Sequence, residues 1–265
     1  MGRRPDRGVV VITVGDEVLG GFTLDTNSNW LATTLREAGW PVLRIEVVGD
    51  AEPDIADAVR RAVADPRAER IVVTGGLGPT PDDLTLDAVA GALGLPVEEN
   101  ADSLAHVRAL MERMRDAGWV GTAEITPANR KMVMAPRGAT SLPNRRGMAS
   151  GIAVPIPGAP GRILLMLPGV PRELQVIVTE EALPRLFAGG VTRTVVELHY
   201  RHAIEAQFTG PMELLGEEFP DVSVGSYPQT ETRELVIRVG GEDADRVRAA
   251  VDRLTGLRPL PSAVP

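Results

Sequence analysis

Short apolar runs alternate with helical patterns through the first two-thirds of the chain. Val9 to Val14 is uninterrupted and apolar, which predicts a parallel strand buried on both faces. Trp30, Leu31, Leu35 and Ala38 then share one helical face that Gly39 ends. Val42 to Val48 predicts a second strand closed by Gly49-Asp50. Pro53 opens a helix with Ile55, Ala56, Val59 and Val63 on one side, and Asp65-Pro66 closes it. Ile71 to Thr74 predicts a third strand. Strand, helix, strand, helix, strand implies parallel pairing with right-handed crossovers. Further helices are predicted over Asp83 to Leu93 and Asp102 to Ala117. The second carries Leu104, Val107, Leu110, Met111 and Met114. Gly151–Ile156 and Arg162–Leu167 predict a hairpin turning at Pro157 to Gly161, and Pro171 starts the helix after it.

The helical pattern fades after Phe187, and Gly189-Gly190 reads as a linker. Thr194–Tyr200, Val222–Tyr227 and Glu234–Val239 then predict strands. Ile204–Glu218 predicts a helix interrupted at Gly210-Pro211, and Asp243–Leu254 a second one. This β-α-β-β-α order predicts a small α+β domain, of about 70 residues, whose core is marginal unless it packs on a neighbour. The division expected is 1–188, 191–258 and a loose Pro-rich tail at 259–265.

Composition narrows the classes. The 265 residues carry a formal net charge of -8 and are 43% apolar, enough for a substantial core. The longest basic block is Gly2 to Arg4, which argues against nucleic acid as a partner. With no cysteine, disulfides, thiolate catalysis and Cys-ligated zinc are excluded. No apolar run is long enough to span a membrane, and the N-terminus lacks an apolar signal core, so a cytoplasmic protein is expected. His106 lies within a helix where solvation or packing explains it. Tyr200 and Tyr227 fit either stacking on a base or ordinary packing.

The candidate chemistry centres on IVVTGGLGPTPDDLT, Ile71 to Thr85. A strand ends on Gly75 and Gly76, Gly78 follows, and Asp82-Asp83 precede a helix. Such a loop offers N–H groups to an anion, and the paired acids suit a divalent cation bound to that anion. An acidic cap on a glycine turn is the simpler account of the same residues. The spacing matches neither a Walker A loop nor a dinucleotide GxGxxG fingerprint. Asp16, at the end of the first strand, sits where open α/β sheets bind ligands. It fits a metal ligand or a hydrogen bond to the next loop. Asn27 fits a helix cap or a ligand contact. Lys131, the only lysine, fits a phosphate partner, a salt bridge or a solvent-facing charge. Gly138, Asn144, Gly147 and Gly151 imply turns that bring Asn144 near a ligand. Glu173 fits a helix-start acid or a metal contact.

Several segments together resemble the competence/damage-inducible protein A (CinA) family. They are Gly15-Asp16-Glu17, Asp25-Thr26-Asn27, Thr74 to Thr85 with TGGLGPTPDD, and Asn129 with Lys131. Pro136 to Ala139, Leu142-Pro143-Asn144 with Gly147, and Leu167 to Pro171 complete the set. The resemblance covers residues 8 to 187 and extends more weakly through the second domain. It implies a three-layer α/β, MogA-like molybdopterin-binding fold with a mostly parallel sheet, plus the small α+β domain. It also implies a homodimer and, for some members, metal-dependent ADP-ribose pyrophosphatase activity. Many relatives carry a C-terminal nicotinamide-mononucleotide amidase domain that this chain is too short to include, so that deamidation is not expected. Two departures stand out: Met132-Val133 follow Lys131 where the family usually has Gln-Ala, and PGVP replaces the usual PGPP.

The leading expectation is therefore hydrolysis of ADP-ribose or a related nucleoside diphosphate compound with a divalent metal. In it Gly75, Gly76, Gly78 and Thr80 cradle phosphate, aided by Asn27, Asn129 and Asn144. Asp16, Asp82 and Asp83 organise the metal, and Asp83 with Lys131 serves catalysis. The alternatives are molybdopterin binding or adenylyl transfer on the same anion loop, and a non-catalytic nucleotide-binding protein.

Overall fold

A computed structural model describes residues 7–259. The chain divides into two compact units, residues 6–190 and Val191 onward. The Gly2–Arg4 block and all of the expected tail after Pro259 lie outside the described residues.

In the first unit the elements run β1 (Gly8–Val14), α1 (Asp16–Leu19), α2 (Thr26–Glu37), β2 (Val42–Val48), α3 (Glu52–Ala64), β3 (Ala68–Thr74), α4 (Thr85–Leu93) and β4 (Val97–Glu99). They continue with α5 (Ala101–Asp116), α6 (Pro127–Lys131), β5 (Met134–Pro136), β6 (Thr140–Leu142), β7 (Gly151–Pro155), β8 (Ile163–Leu167), α7 (Pro171–Ile177) and α8 (Leu183–Leu186). The main sheet has six strands in the order β2-β1-β3-β8-β7-β6. β1, β2, β3 and β8 are mutually parallel, and β7 runs against its neighbours β8 and β6.

Strand alternation divides the core into two layers. Val10, Ile12, Ile71, Val73, Leu164 and Met166 face α3 and α4. Val9, Val11, Val72, Leu165 and Leu167 face α2 and α7. All seven residues of β1 are buried, so its sequence carries no polar alternation. Each fully buried aliphatic side chain contributes roughly 1.5–3 kcal/mol. The three-layer α/β architecture is thus established, with a mostly parallel sheet.

Several local expectations change. The helix after the acid pair begins at Thr85, not Asp83, and no side chain caps it. Asp83 instead accepts from its own turn: Thr80 donates from N at 2.8 Å and from Oγ1 at 2.5 Å. That short loop uses the carboxylate before a helix can form. β4 pairs antiparallel with β5, a ladder too short for periodicity to reveal. Val107, Met111 and Val133 form a separate small core beneath it. A π turn at Val178–Ala182 joins α7 to α8 just before Pro184, which has no N–H for the helical ladder.

The second unit comprises β9 (Thr194–Arg201), α9 (Thr209–Glu218), β10 (Ser223–Gln229), β11 (Glu234–Gly241) and α10 (Ala244–Leu257), with a 3-10 turn at Glu205–Phe208. Its antiparallel sheet has the order β10-β11-β9. Leu198, Tyr200, Ile237 and Val239 share a core with Leu215, Val247, Ala250 and Leu254 of the helices. On the strands, Arg238 pairs with Glu197 at 2.6 Å and Arg201 with Glu234 at 3.3 Å. Gly210-Pro211 does not interrupt α9. Both lie in its first turn, where a missing N–H costs little. Among the described residues no helix is long and apolar enough to cross a membrane.

Candidate functional site

Three parallel strands deliver their C-terminal ends to one edge of the first unit. β1 leads into Gly15, β3 into Gly75 and β8 into Pro168-Gly169, and the chain leaves β1 and β3 toward opposite sides of the sheet. Ligands of open α/β sheets bind at such edges.

Gly75 and Gly76 have φ of 100° and 63°, a region glycine enters without steric cost. A Cβ on Gly75 would collide with the Val14 carbonyl, and one on Gly76 with the Thr85 hydroxyl. The loop is tied at both ends. Gly75 N donates to Leu167 O at 3.1 Å, and Thr85 N to Gly76 O at 3.2 Å. The Thr85 hydroxyl donates to Gly75 O at 2.8 Å. Among the described residues, no main-chain carbonyl accepts from the N–H of Gly76, Leu77 or Gly78. Successive donors without a main-chain partner are the kind of group that anion-binding loops use.

An open cleft of about 760 Å³ lies against this loop. Of the residues expected in the site, Gly75, Gly76, Gly78, Asp82, Asp83 and Asn129 line it. The Gly169-Val170-Pro171 turn also lines it, with Gly169 packed close to Gly75. A smaller, more closed cavity of about 200 Å³ adjoins it, sharing Gly76, Leu77, Gly78, Asp83, Met132 and Ala149.

The other expected residues have different positions. Lys131 lines the smaller cavity, and its Nζ donates to the carbonyls of Thr80 and Asp83, both at 2.7 Å. Its role is to hold the acidic turn. Asp16 exchanges hydrogen bonds with Asp50: Asp16 N donates to Asp50 at 2.8 Å, and Asp50 N donates to Asp16 at 3.2 Å. Asp25, rather than Asn27, caps α2, accepting from Ser28 N at 2.9 Å and from the Thr13 hydroxyl at 3.0 Å. Asn27 donates to Gly169 O at 2.8 Å and so anchors the turn that follows β8. Asn144 is 1% exposed and its polar atoms are all used within the protein. It donates to Ala149 O at 2.9 Å and to the Glu173 carboxylate at 2.6 Å, and accepts from the amides of Arg146 and Gly147.

Sequence reasoning passed over Asp50 and Ser150. Asp50 lines the open cleft with Glu17. Burial pushes its carboxyl above the usual range, against the stabilising Asp16 amide. The charges of Asp16, Glu17 and Asp82 add to the rise. Its place in Gly49-Asp50, directly after a predicted strand, was the available signal. Ser150 is 3% exposed, and its hydroxyl has no partner.

Residues 10–188 match the family model described as "Probable molybdopterin binding domain". The chain belongs to that family. Residues 195–264 also match a model described as "FAD synthase, middle domain". A protein of Pyrococcus abyssi (strain GE5 / Orsay) is 33% identical over 244 residues, covering 91% of this chain and 93% of that protein. A CinA-like protein of Anaeromyxobacter dehalogenans (strain 2CP-1 / ATCC BAA-258) is 38% identical over 258 residues. That match covers 94% of this chain, which spans 59% of the CinA-like protein. The crystal structure of the protein CinA with unknown function from Thermoplasma acidophilum shows 31% identity and a TM-score of 0.57. It covers 68% of this chain and 99% of its own. The relation of this molybdopterin-binding-domain chain to CinA proteins therefore stands.

The pyrophosphatase expectation does not. The family match is to a molybdopterin binding domain. Among the described residues no group of three or more His, Cys, Asp or Glu side chains is placed to hold a metal ion, so Asp16, Asp82 and Asp83 do not form one. Asp83, expected to serve catalysis, spends one carboxylate oxygen on Thr80, and Lys131 spends two protons on main-chain carbonyls. ADP-ribose hydrolysis by a metal-dependent enzyme is therefore withdrawn.

Proposed function

We propose that this chain binds molybdopterin, a pterin carrying a phosphate, in the open cleft at the sheet edge. The observation that carries this reading is the loop of free N–H groups at Gly76, Leu77 and Gly78, which faces a cleft of about 760 Å³. That volume falls within the roughly 300–1,000 Å³ typical of small-molecule sites. The phosphate meets the loop amides, and the rest of the ligand extends toward the Gly169-Val170-Pro171 wall. The match to a molybdopterin binding domain supports the same assignment.

Equilibrium binding of molybdopterin to the purified chain tests it. Saturable binding that Gly76→Ala weakens is the expected result. Absence of binding by the folded wild-type protein overturns the reading. We also propose a homodimer, supported by Leu19, Phe22 and Leu24, which are 58%, 88% and 82% exposed beside α1. Light scattering across a range of concentrations tests this separately, and a constant monomer mass rejects it.

A further inference from the structure

Two tryptophans of the first unit have opposite surroundings. Trp40 is buried, meets Phe187 edge-on at 5.7 Å between ring centroids, and lies under the guanidinium groups of Arg7 and Arg70 at 5.3 and 4.8 Å. Trp119 is 77% exposed, and among the described residues no ring or guanidinium packs on it. An indole left in water forgoes the burial that usually stabilises it. Its main chain is nevertheless fixed. Gly118 takes a φ of 75° just past α5, its N donates to Arg115 O at 2.9 Å, and Trp119 N donates to Met114 O at 2.9 Å. This pair of bonds closes the helix end, so Trp119 leaves α5 at a set point.

Trp119 lines a pocket of about 540 Å³ that shares no residue with either cavity at the sheet edge. The volume lies in the range of small-molecule sites. His106, Leu110 and Arg113 contribute from one stripe of α5, and Pro143, Asn144 and Arg145 from the turn after β6. That turn is held from within, since Asn144 accepts from the amides of Arg146 and Gly147 at 2.9 and 3.0 Å. His106 Nε2 lies 3.0 Å from Gly147 O and ties α5 to the same turn.

The charge of the pocket runs against that of the chain. The formal net charge is -8, yet no carboxylate lines the pocket and two guanidinium groups do. They come from separate elements, so the dipole of one helix does not account for both. Among the described residues Arg113 pairs with no carboxylate. Arg145 meets Glu180 at 3.2 Å, an exposed pair of little strength that an incoming anion can replace. Guanidinium forks match phosphate and carboxylate oxygens, and an indole face suits a flat ring. Leu110 and Met114 add apolar surface beside them.

We propose that this pocket is a second ligand site, for a small aromatic anion: a flat ring bearing a phosphate or a carboxylate. The ring packs on Trp119, and Arg113 and Arg145 hold the anion. The site is independent of the molybdopterin reading, because its residues are separate from that cleft.

The test uses phenyl phosphate and benzoate as probes, with phenol as the ring without the charge and inorganic phosphate as the charge without the ring. Tryptophan emission and calorimetry follow binding to the full chain. Saturable millimolar binding of at least one aromatic anion is expected, with phenol and inorganic phosphate about tenfold weaker or more. Arg113→Gln should lower the affinity about tenfold, and Trp119→Ala should lower it similarly while removing the emission change. Both side chains are exposed, so both variants should keep the wild-type melting temperature. Absence of binding by either aromatic anion overturns the proposal. Inorganic phosphate binding as tightly as phenyl phosphate overturns it too, as does an affinity that neither variant changes. Self-association that Trp119→Ala abolishes would assign this face to a second copy of the chain and also overturn the proposal.

Discussion

The Lys131 ammonium lies 2.7 Å from the main-chain carbonyl of Asp83, and it makes an equal bond to the carbonyl of Thr80. Charge at Lys131 therefore acts on backbone geometry, fixing the turn that follows the glycine loop. Removing it should loosen Pro79 to Leu84. Lys131→Met should reduce stability by about 1–3 kcal/mol, given two charge-assisted bonds at a partly exposed position. Molybdopterin affinity should fall with it, because both the cleft and the smaller cavity border this turn. Denaturant unfolding and equilibrium binding measure the two effects. Unchanged values in both would show that the turn holds without the lysine.

Gly75 sets a stricter requirement. Its φ of 100° strains any L side chain, and a Cβ there would meet the rigid Val14 backbone. Gly75→Ala should cost about 2 kcal/mol or more. Gly91 supplies the control, since a Cβ there meets nothing within 4 Å. Gly91→Ala, in α4, should be neutral or stabilising by up to about 1 kcal/mol. Thermal melts of both variants check the contrast.

Much of the fold was legible because both faces of the central strands are buried. Val9 to Val14 and Ile71 to Thr74 consequently show unbroken apolar runs. β4 and β5 were missed because three residues cannot display a period. The glycine loop was equally legible, since only glycine fits the backbone at Gly75 and Gly76. Side-chain duties around it were harder to read. An Asp before a helix can bond forward to cap it or backward to close a turn. Asp83 bonds backward to Thr80, and no local pattern distinguishes the two. The interest of Ser150 lies in what fails to reach it, a property of the folded surroundings.

Asp50 makes the cleft sensitive to pH. Its carboxyl is raised in the folded protein, mainly by burial, so the ionised form opposes folding. This cost is absent below the ordinary carboxylate range. It appears as pH rises through the folded-state value and remains at neutral pH. Asp50→Asn keeps an oxygen for the Asp16 amide and removes the charge. It should raise the melting temperature by about a degree or two at pH 7 and converge with wild type near pH 3.5. Affinity for the phosphate-bearing ligand should also rise at pH 7, since Asp50 lines its cleft. Melting curves at several pH values and binding at pH 7 provide the test.

Asn144 and Glu173 allow the closing prediction to separate charge from packing. The Asn144 amide is buried, lies 2.6 Å from the Glu173 carboxylate, and also supports Ala149 beside Ser150. Asn144→Ala strands two main-chain amides, a carbonyl and a carboxylate, and should cost about 3 kcal/mol. Asn144→Asp keeps the acceptor for Arg146 N and Gly147 N but places a second carboxylate against Glu173. It should be most destabilising at neutral pH and recover as pH falls, when one carboxyl takes up a proton and donates to the other. Glu173→Gln in the same chain supplies an amide donor from the opposite side, facing the carboxylate introduced at position 144. The double variant should therefore regain most of the stability lost by Asn144→Asp at pH 7, with a coupling on the order of 1–3 kcal/mol. Unfolding free energies for the four proteins at pH 7 and pH 4.5 measure this cycle. Additive effects at both pH values would show that the 2.6 Å contact carries no coupling.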